Sequence, residues 1–175
     1  YQPVRFTVES DWSAAAYWYQ IMALSPSAEI ELLGLFEQSL QGDAAGTKLF
    51  SQLGVETLFT ERGVRLRHNG KRCQRLDYDF VNEPDLAQTF VVTCALLNVP
   101  FRFTGLQSLK IKETDRIEAL KNELLKLGYV LHDEQDSILS WDGERCAPEA
   151  HPVIATYDNL ADWDECIAAA NANLN

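Results

Sequence analysis

The chain has 175 residues, 46% of them hydrophobic and 23% charged, with a formal net charge of −11 at pH 7. That length suits one sizeable domain or two small ones, and the acidic balance excludes nucleic acid or an anionic membrane as the main partner. No apolar run reaches the roughly 20 residues of a membrane span, and Tyr1-Gln2-Pro3-Val4 has neither the basic nor the apolar region of a secretory signal, so a cytoplasmic protein is expected. In chain order, Val4 to Val8 alternates like a strand. Asp11 is placed to cap a helix running to about Leu24 and closed by Ser25-Pro26. Ile30 to Leu35 reads as a strand. Asp43 is expected to cap a second helix that ends at Leu53, with Gly54 as its stop. Val55 to Thr60 and Val64 to His68 read as a hairpin around Glu61-Arg62-Gly63.

The order then recurs. Cys73 to Asp79 is a predicted strand, and Pro84-Asp85 opens a helix reaching about Asn98, with Pro in a favoured first-turn position. Pro100 to Leu106 is a strand, Asp115 caps a helix ending at Leu127-Gly128, and Tyr129 to Asp133 pairs with Ile138 to Trp141. Both stretches are β-α-β-α-β-β, and much of the second registers on the first at an offset of 74 residues, Asp11 on Asp85 and Leu53-Gly54 on Leu127-Gly128. A third copy begins at Pro152 to Tyr157, continues with a helix-like stretch from Asn159 to about Ala170, and stops. The expected organisation is a single domain of unit one (about 4–68), unit two (about 73–141) and a partial unit three (about 152–175). Its class is α/β (α+β). The first helix, with Ala14, Ala15, Ala16, Tyr17, Trp18, Ile21, Met22 and Leu24, is apolar on most sides, which points to helices packed inside and sheets outward. The unfinished unit would leave apolar surface and strand edges open, so self-association is also an expectation.

The four cysteines, at 73, 94, 146 and 166, form no C-x-x-C pair and no zinc spacing. They read as reduced thiols. His68, His132 and His151 are far apart in sequence and read as surface or half-buried side chains.

Chemistry concentrates in Ser108-Leu109-Lys110-Ile111-Lys112-Glu113-Thr114-Asp115-Arg116, which joins a strand to a helix. A helix amino-terminus presents N–H groups and a positive dipole end, and Lys110, Lys112 and Arg116 add three cations within seven residues. Even on an acidic protein such a local cluster can hold a small anion, because charges are screened over about 8 Å at physiological salt. Arginine holds a carboxylate or phosphate by two parallel bonds and lysine acts as a point charge. Glu113 among these cations is a candidate proton carrier. The same stretch also reads as a capped helix start: Asp115 and Glu118 fit a capping box, and Ile117, Leu120, Leu124 and Leu127 form a buried stripe.

This segment resembles the N-x-R-V-K-E-S/T-D-R motif of 5-enolpyruvylshikimate-3-phosphate synthases. Val8-Glu9-Ser10-Asp11-Trp12-Ser13-Ala14-Ala15-Ala16-Tyr17 is similar to the family's V-E-G-D-x-S-x-A-x-Y. Ser39-Leu40-Gln41-Gly42-Asp43 is similar to its S-x-Q-G-D, and Glu83-Pro84-Asp85-Leu86-Ala87-Gln88-Thr89 to its x-P-D-x-x-x-T. The resemblance runs from about Val4 to Tyr157, less than half of a family member's length. It implies transfer of the enolpyruvyl group of phosphoenolpyruvate to the 5-hydroxyl of shikimate 3-phosphate, on the way to aromatic amino acids, without metal or organic cofactor. It also implies a second domain as partner. By the same resemblance Asp85 takes the hydroxyl proton, Glu113 serves proton transfer at the methylene carbon, and Lys112 and Ser39 contact shikimate 3-phosphate. Arg116 binds phosphoenolpyruvate.

The chain departs from the pattern in places. Ser108 replaces the family asparagine, and Ser10-Asp11-Trp12 replaces glycine, aspartate and a small residue. After Asp158 comes Asn159-Leu160-Ala161-Asp162, where the family has a His-Arg pair. The segments of the family's other half, with their own phosphate and carboxylate ligands, are absent from this sequence. The isolated chain is therefore expected to be inactive. Alternative readings are a non-catalytic module that kept the fold, and a relative of the UDP-N-acetylglucosamine enolpyruvyl transferases, against which the Lys-Glu-Thr-Asp-Arg string speaks.

Overall fold

The computed structural model describes residues 2–25, 27–111 and 115–154. Helix α1 (Trp12–Leu24) starts where expected, with the Asp11 carboxylate accepting from the Ser13 amide at 2.8 Å. Strand β1 (Ile30–Leu33) follows. A 3-10 turn (Gly42–Ala45) leads into α2 (Gly46–Gln52), and β2 (Val55–Thr60) and β3 (Gly63–His68) form the hairpin. The second half repeats this order: β4 (Leu76–Asp79), a 3-10 turn (Pro84–Leu86) running into α3 (Ala87–Leu97), and β5 (Phe101–Thr104). A 3-10 turn (Gln107–Ile111), α4 (Arg116–Lys126), β6 (His132–Glu134) and β7 (Ile138–Trp141) complete it. The partial third unit falls outside the described residues except for 152–154.

Two sheets result. The first has the order β1-β3-β2, antiparallel throughout; the second has β4-β5-β7-β6, with β4 parallel to β5. Matching β1 with β5 and the two hairpins with each other, the sheets share one order, and the second carries one extra strand at its edge. That strand corresponds to the predicted strand Val4 to Val8, and here the structure differs from the expectation. Residues 4–8 are in no sheet, and Val4, Phe6 and Val8 are 83%, 83% and 79% exposed. Just after them the Ser10 amide reaches the Gly34 carbonyl at 2.8 Å, as Phe80 does Thr104 at 2.9 Å. The physical difference lies in what covers the strand. Leu76 and Phe80 are buried, and Phe80 packs edge-on against Phe103 with ring centroids 5.0 Å apart. Alternation marks a strand only when one face also finds a cover.

Asp43 is the second departure. It lies inside the 3-10 turn rather than capping α2, and its carboxylate takes the Ser13 hydroxyl of α1. The helix ends agree with expectation: Gly54 and Gly128, at φ 102° and 87°, follow α2 and α4.

The helices lie between the sheets: α1 packs on the first sheet, α3 on β5 of the second, and α1 and α3 on each other. Phe50 of α2 meets Phe90 of α3 at a centroid distance of 4.4 Å. Gln20 spans the α1–α3 seam, donating to the Thr89 carbonyl and the Thr93 hydroxyl. Buried Tyr19 bonds Thr57 at 2.8 Å, and burial pushes its hydroxyl pKa up to about 12. The outward faces carry charge pairs instead, Arg65 and Arg67 with Glu29 and Arg102 with Glu134. One stripe of α1 (Tyr17, Trp18, Ile21) remains about half exposed, so the helix that reads apolar all round is covered on two sides by the described residues.

Gly105 shows how tightly β5 turns into the next segment. At φ 74° a Cβ there would stand 2.5 Å from the Val81 amide nitrogen. Gly70 has a similar φ of 69° with nothing within 4 Å. Gly105→Ala should therefore cost about 2 kcal/mol or more of unfolding free energy, from strain plus backbone clash, and Gly70→Ala about 1 kcal/mol from strain alone. Urea denaturation of both variants checks this, and equal losses would contradict the packing described.

Candidate functional site

The starts of α1, α2, α3 and α4 lie close together. The α1 start is tied to the Gly42–Ala45 turn through Ser13 and Asp43. That turn abuts the segment leading into α3: a Cβ on Gly42 would lie 3.3 Å from the Asn82 carbonyl, and one on Gly46 3.3 Å from a Leu86 methyl. The Pro84–Leu86 turn in its place packs beside Gln107–Ile111, just ahead of α4. Helix amino-termini carry outward N–H groups and partial positive charge, so this end of the molecule suits anions.

Two predicted site residues meet here. Arg116, the first residue of α4, places Nη1 3.5 Å from Oδ1 of Asp85. The arginine side chain is 17% exposed and the aspartate 44%. The guanidinium is thus mostly withdrawn from water while the carboxylate edge remains accessible. Arg116 sits there because Asp115 caps α4, its Oδ1 accepting from the Glu118 amide at 3.1 Å. Glu118 turns its own carboxylate to Lys121 rather than back to the cap. Lys112 and Glu113 lie outside the described residues.

Lys110, counted among the cations of this segment, pairs with Asp136 at the β6–β7 turn, and that bond raises its pKa. It leaves Arg116 as the cation placed at Asp85 among the described residues.

Ser39 stands in the loop before the Gly42 turn and is part of a network that sequence reasoning did not single out. Its hydroxyl donates to Glu9 Oε2 at 2.6 Å and accepts from the Gln41 amide at 3.0 Å. Glu9 also receives the Trp12 indole N–H and the Phe36 amide, both at 2.8 Å, and the Gln41 side chain at 3.2 Å. Gln41 closes the ring by donating to the Ser10 carbonyl and accepting from the Trp12 amide, each at 2.9 Å. Burial raises the Glu9 pKa, but the bonds from Ser39, Trp12, Phe36 and Gln41 outweigh it and hold the carboxyl below its ordinary 4.5. Both ends of this network lie in strings already noted, Val8 to Tyr17 and Ser39 to Asp43. Only their spatial meeting was hidden.

Among the described residues no group of three or more His, Cys, Asp or Glu is arranged to hold a metal ion, and no helix is long and apolar enough to cross a membrane.

A depressed Glu9 pKa contributes stability that is fully present above pH 4.5 and is lost as pH falls through the lower folded value. The wild-type denaturation midpoint should therefore drop below pH 4.5 more steeply than that of Glu9→Gln; parallel curves would refute the assignment. Asp115→Ala should cost about 1 kcal/mol through loss of the α4 cap, measurable in the same titration at pH 7.

The family model for EPSP synthase (3-phosphoshikimate 1-carboxyvinyltransferase) matches residues 1–160. A 3-phosphoshikimate 1-carboxyvinyltransferase of Bacteroides fragilis (strain YCH46) is 70% identical over 159 residues, covering 91% of this chain and 39% of the relative. Relatives of that same description from Methanosarcina acetivorans and Neisseria gonorrhoeae are each 32% identical, covering 86% and 90% of this chain and 35% and 36% of their own lengths. The chain thus spans about two fifths of the length of the Bacteroides fragilis relatives it matches.

Proposed function

The chain belongs to the EPSP synthase (3-phosphoshikimate 1-carboxyvinyltransferase) family, and from that premise we propose that it supplies one substrate-binding face of an enolpyruvyl transferase acting on shikimate 3-phosphate and phosphoenolpyruvate. The supporting observation is the juxtaposition of Asp85 and Arg116 at 3.5 Å, at an end of the molecule where helix starts gather. In this reading Asp85 accepts the proton of the 5-hydroxyl as its oxygen bonds to C2 of phosphoenolpyruvate, and the methylene carbon takes a proton, a step given to Glu113. Phosphate then leaves C2 as the added methyl carbon gives up a proton, restoring the double bond. Arg116 holds phosphoenolpyruvate next to the base, so the base and the anion holder are brought together by two neighbouring helix starts, those of α3 and α4. Lys112 is proposed as a contact of shikimate 3-phosphate. Ser39 is proposed as another, and this requires its hydroxyl to turn from Glu9 toward a phosphate oxygen, because a serine has one proton to donate.

The organisation we propose is two complete units, about 4–68 and 73–141, with a third represented by about 152–175, in a cytoplasmic enzyme. The partner is a second domain bearing the opposing charged face. Enclosure between two faces excludes water and aligns the reactants.

One face should bind weakly and turn over nothing. Mixed with shikimate 3-phosphate and phosphoenolpyruvate, this polypeptide should release no phosphate above the blank. Amide NMR should nevertheless show saturable shifts at Asp85 and at Arg116 on titration with shikimate 3-phosphate and phosphoenolpyruvate together. Arg116→Ala should weaken phosphoenolpyruvate about tenfold, or roughly 1.4 kcal/mol. Phosphate release abolished by Asp85→Ala would overturn the inactivity, and an absence of shifts at both residues would overturn the site.

A further inference from the structure

We propose that Glu9 is a positioning residue for Asp85, acting through the 36–42 loop; this rests on the reading of Asp85 as the group that takes the hydroxyl proton. Glu9 itself is remote from Asp85 in sequence and belongs to the other half of the chain. Its carboxylate gathers four donors from two segments: the Trp12 indole at the α1 start, and the Phe36 amide and the Ser39 and Gln41 side chains of the 36–42 loop. A carboxylate that accepts this many bonds fixes the relative place of everything that donates to it.

The constraint is passed on by contact. Gln41 is the residue before the Gly42–Ala45 turn and is further bound to Ser10 and Trp12 at 2.9 Å. Gly42 next to it sits against the Asn82 carbonyl and the Glu83 side chain, so closely that a Cβ would approach to 3.3 Å and 3.7 Å. Asn82 and Glu83 in turn lead directly into the Pro84–Leu86 turn that carries Asp85, where the Leu86 amide bonds the Glu83 carbonyl at 3.1 Å. The Ser13–Asp43 bond braces the same turn from the α1 side. A displacement of the 36–42 loop therefore bears on the backbone three residues ahead of Asp85. The Ser39 hydroxyl, with its one proton on Glu9, is part of this tie.

The test is amide NMR of the chain, wild type and Glu9→Gln, alone and with shikimate 3-phosphate. In the free Glu9→Gln protein the resonances of Ser39 to Gly42 should shift together with those of Asp85, Leu86 and Ala87, and the Trp12 indole signal should move as its bond weakens. Signals of β6 and β7 should stay in place. Affinity for shikimate 3-phosphate should fall about tenfold, corresponding to roughly 1.4 kcal/mol. If Glu9→Gln does not fold, Trp12→Phe, which removes one of the four donors and keeps a ring, should give the same pattern at smaller amplitude. Shifts confined to residues 9–12 and 36–42, with Asp85 to Ala87 and the affinity unchanged, would overturn the proposal and leave Glu9 as a local tie. Failure of the wild type to bind at all would instead count against the reading of the site, while the free-protein shifts at Asp85 would still decide the coupling.

Discussion

The fold depends on the direct packing of α1 against α3. Each helix is apolar on the side facing its own sheet and on the side facing the other helix, so neither half of the chain buries its helix alone. Their contact makes one core out of two sheets. Phe50 and Phe90 at 4.4 Å, followed by Phe80 at 5.7 Å from Phe90 and Phe103 at 5.0 Å from Phe80, carry aromatic contact from α2 to the second sheet without a break. Gln20, reaching the Thr89 carbonyl and the Thr93 hydroxyl, satisfies polar groups that the seam would otherwise strand. This packing has a consequence for function. It sets the α1 start, the Gly42 turn and the Pro84–Leu86 turn side by side, with Gly42 and Gly46 permitting the approach.

Charge is distributed to match. The protein is acidic overall, and several lysines and arginines on its outer surface are engaged with carboxylates: Arg65 and Arg67 with Glu29, Arg75 with Asp77 and Asp142, Arg102 with Glu134, Lys110 with Asp136, Lys121 with Asp133. Exposed pairs of this kind add little stability, about 0–1 kcal/mol each, and they cancel one another's fields. Arg116 differs in its setting. Its side chain is the least exposed of these arginines, and it lies at a helix start. Reduced solvent screening makes a charge there count for more toward a nearby anion than a surface lysine would.

Much of this was legible in the sequence, and the reasons are local. Asp11 and Asp115 cap their helices as read, and Gly54 and Gly128 stop theirs, because caps and stops are decided by a few neighbouring residues. The meeting of Asp85 with the α4 start came from motif strings rather than from periodicity. The failures are all non-local. Val4 to Val8 alternates like Leu76 to Asp79, but a strand needs a partner edge and a covered face, which the pattern does not contain. Asp43 looked like a cap and serves instead as a partner for Ser13. Lys110 counted toward a cationic cluster until the β6–β7 turn supplied Asp136. Glu9 stood unremarked within a recognised string, since its four donors come from residues as many as 32 positions away.

The duplicated frame also explains why half of a site can be well ordered. In each half, a helix start follows a strand and points its amino-terminal N–H groups toward the same end. Duplication therefore multiplies anion-binding ends without new architecture. What duplication does not provide is individuality: Asp85 and Arg116 both lie in the second unit, at the starts of α3 and α4, where the same offset gives Asp11 and Gly42 in the first. Asp11 and Asp85 illustrate the divergence: the first caps α1 by accepting from Ser13, while the second stands within a 3-10 turn and faces Arg116. Equivalent aspartates thus stand in different settings, one as a helix cap and one facing an arginine, and the difference arises from Pro84, which alters the helix entry, and from the arginine that follows the Asp115 cap. A face of this kind is assembled from repeated helix starts by changing what stands one residue to either side of them.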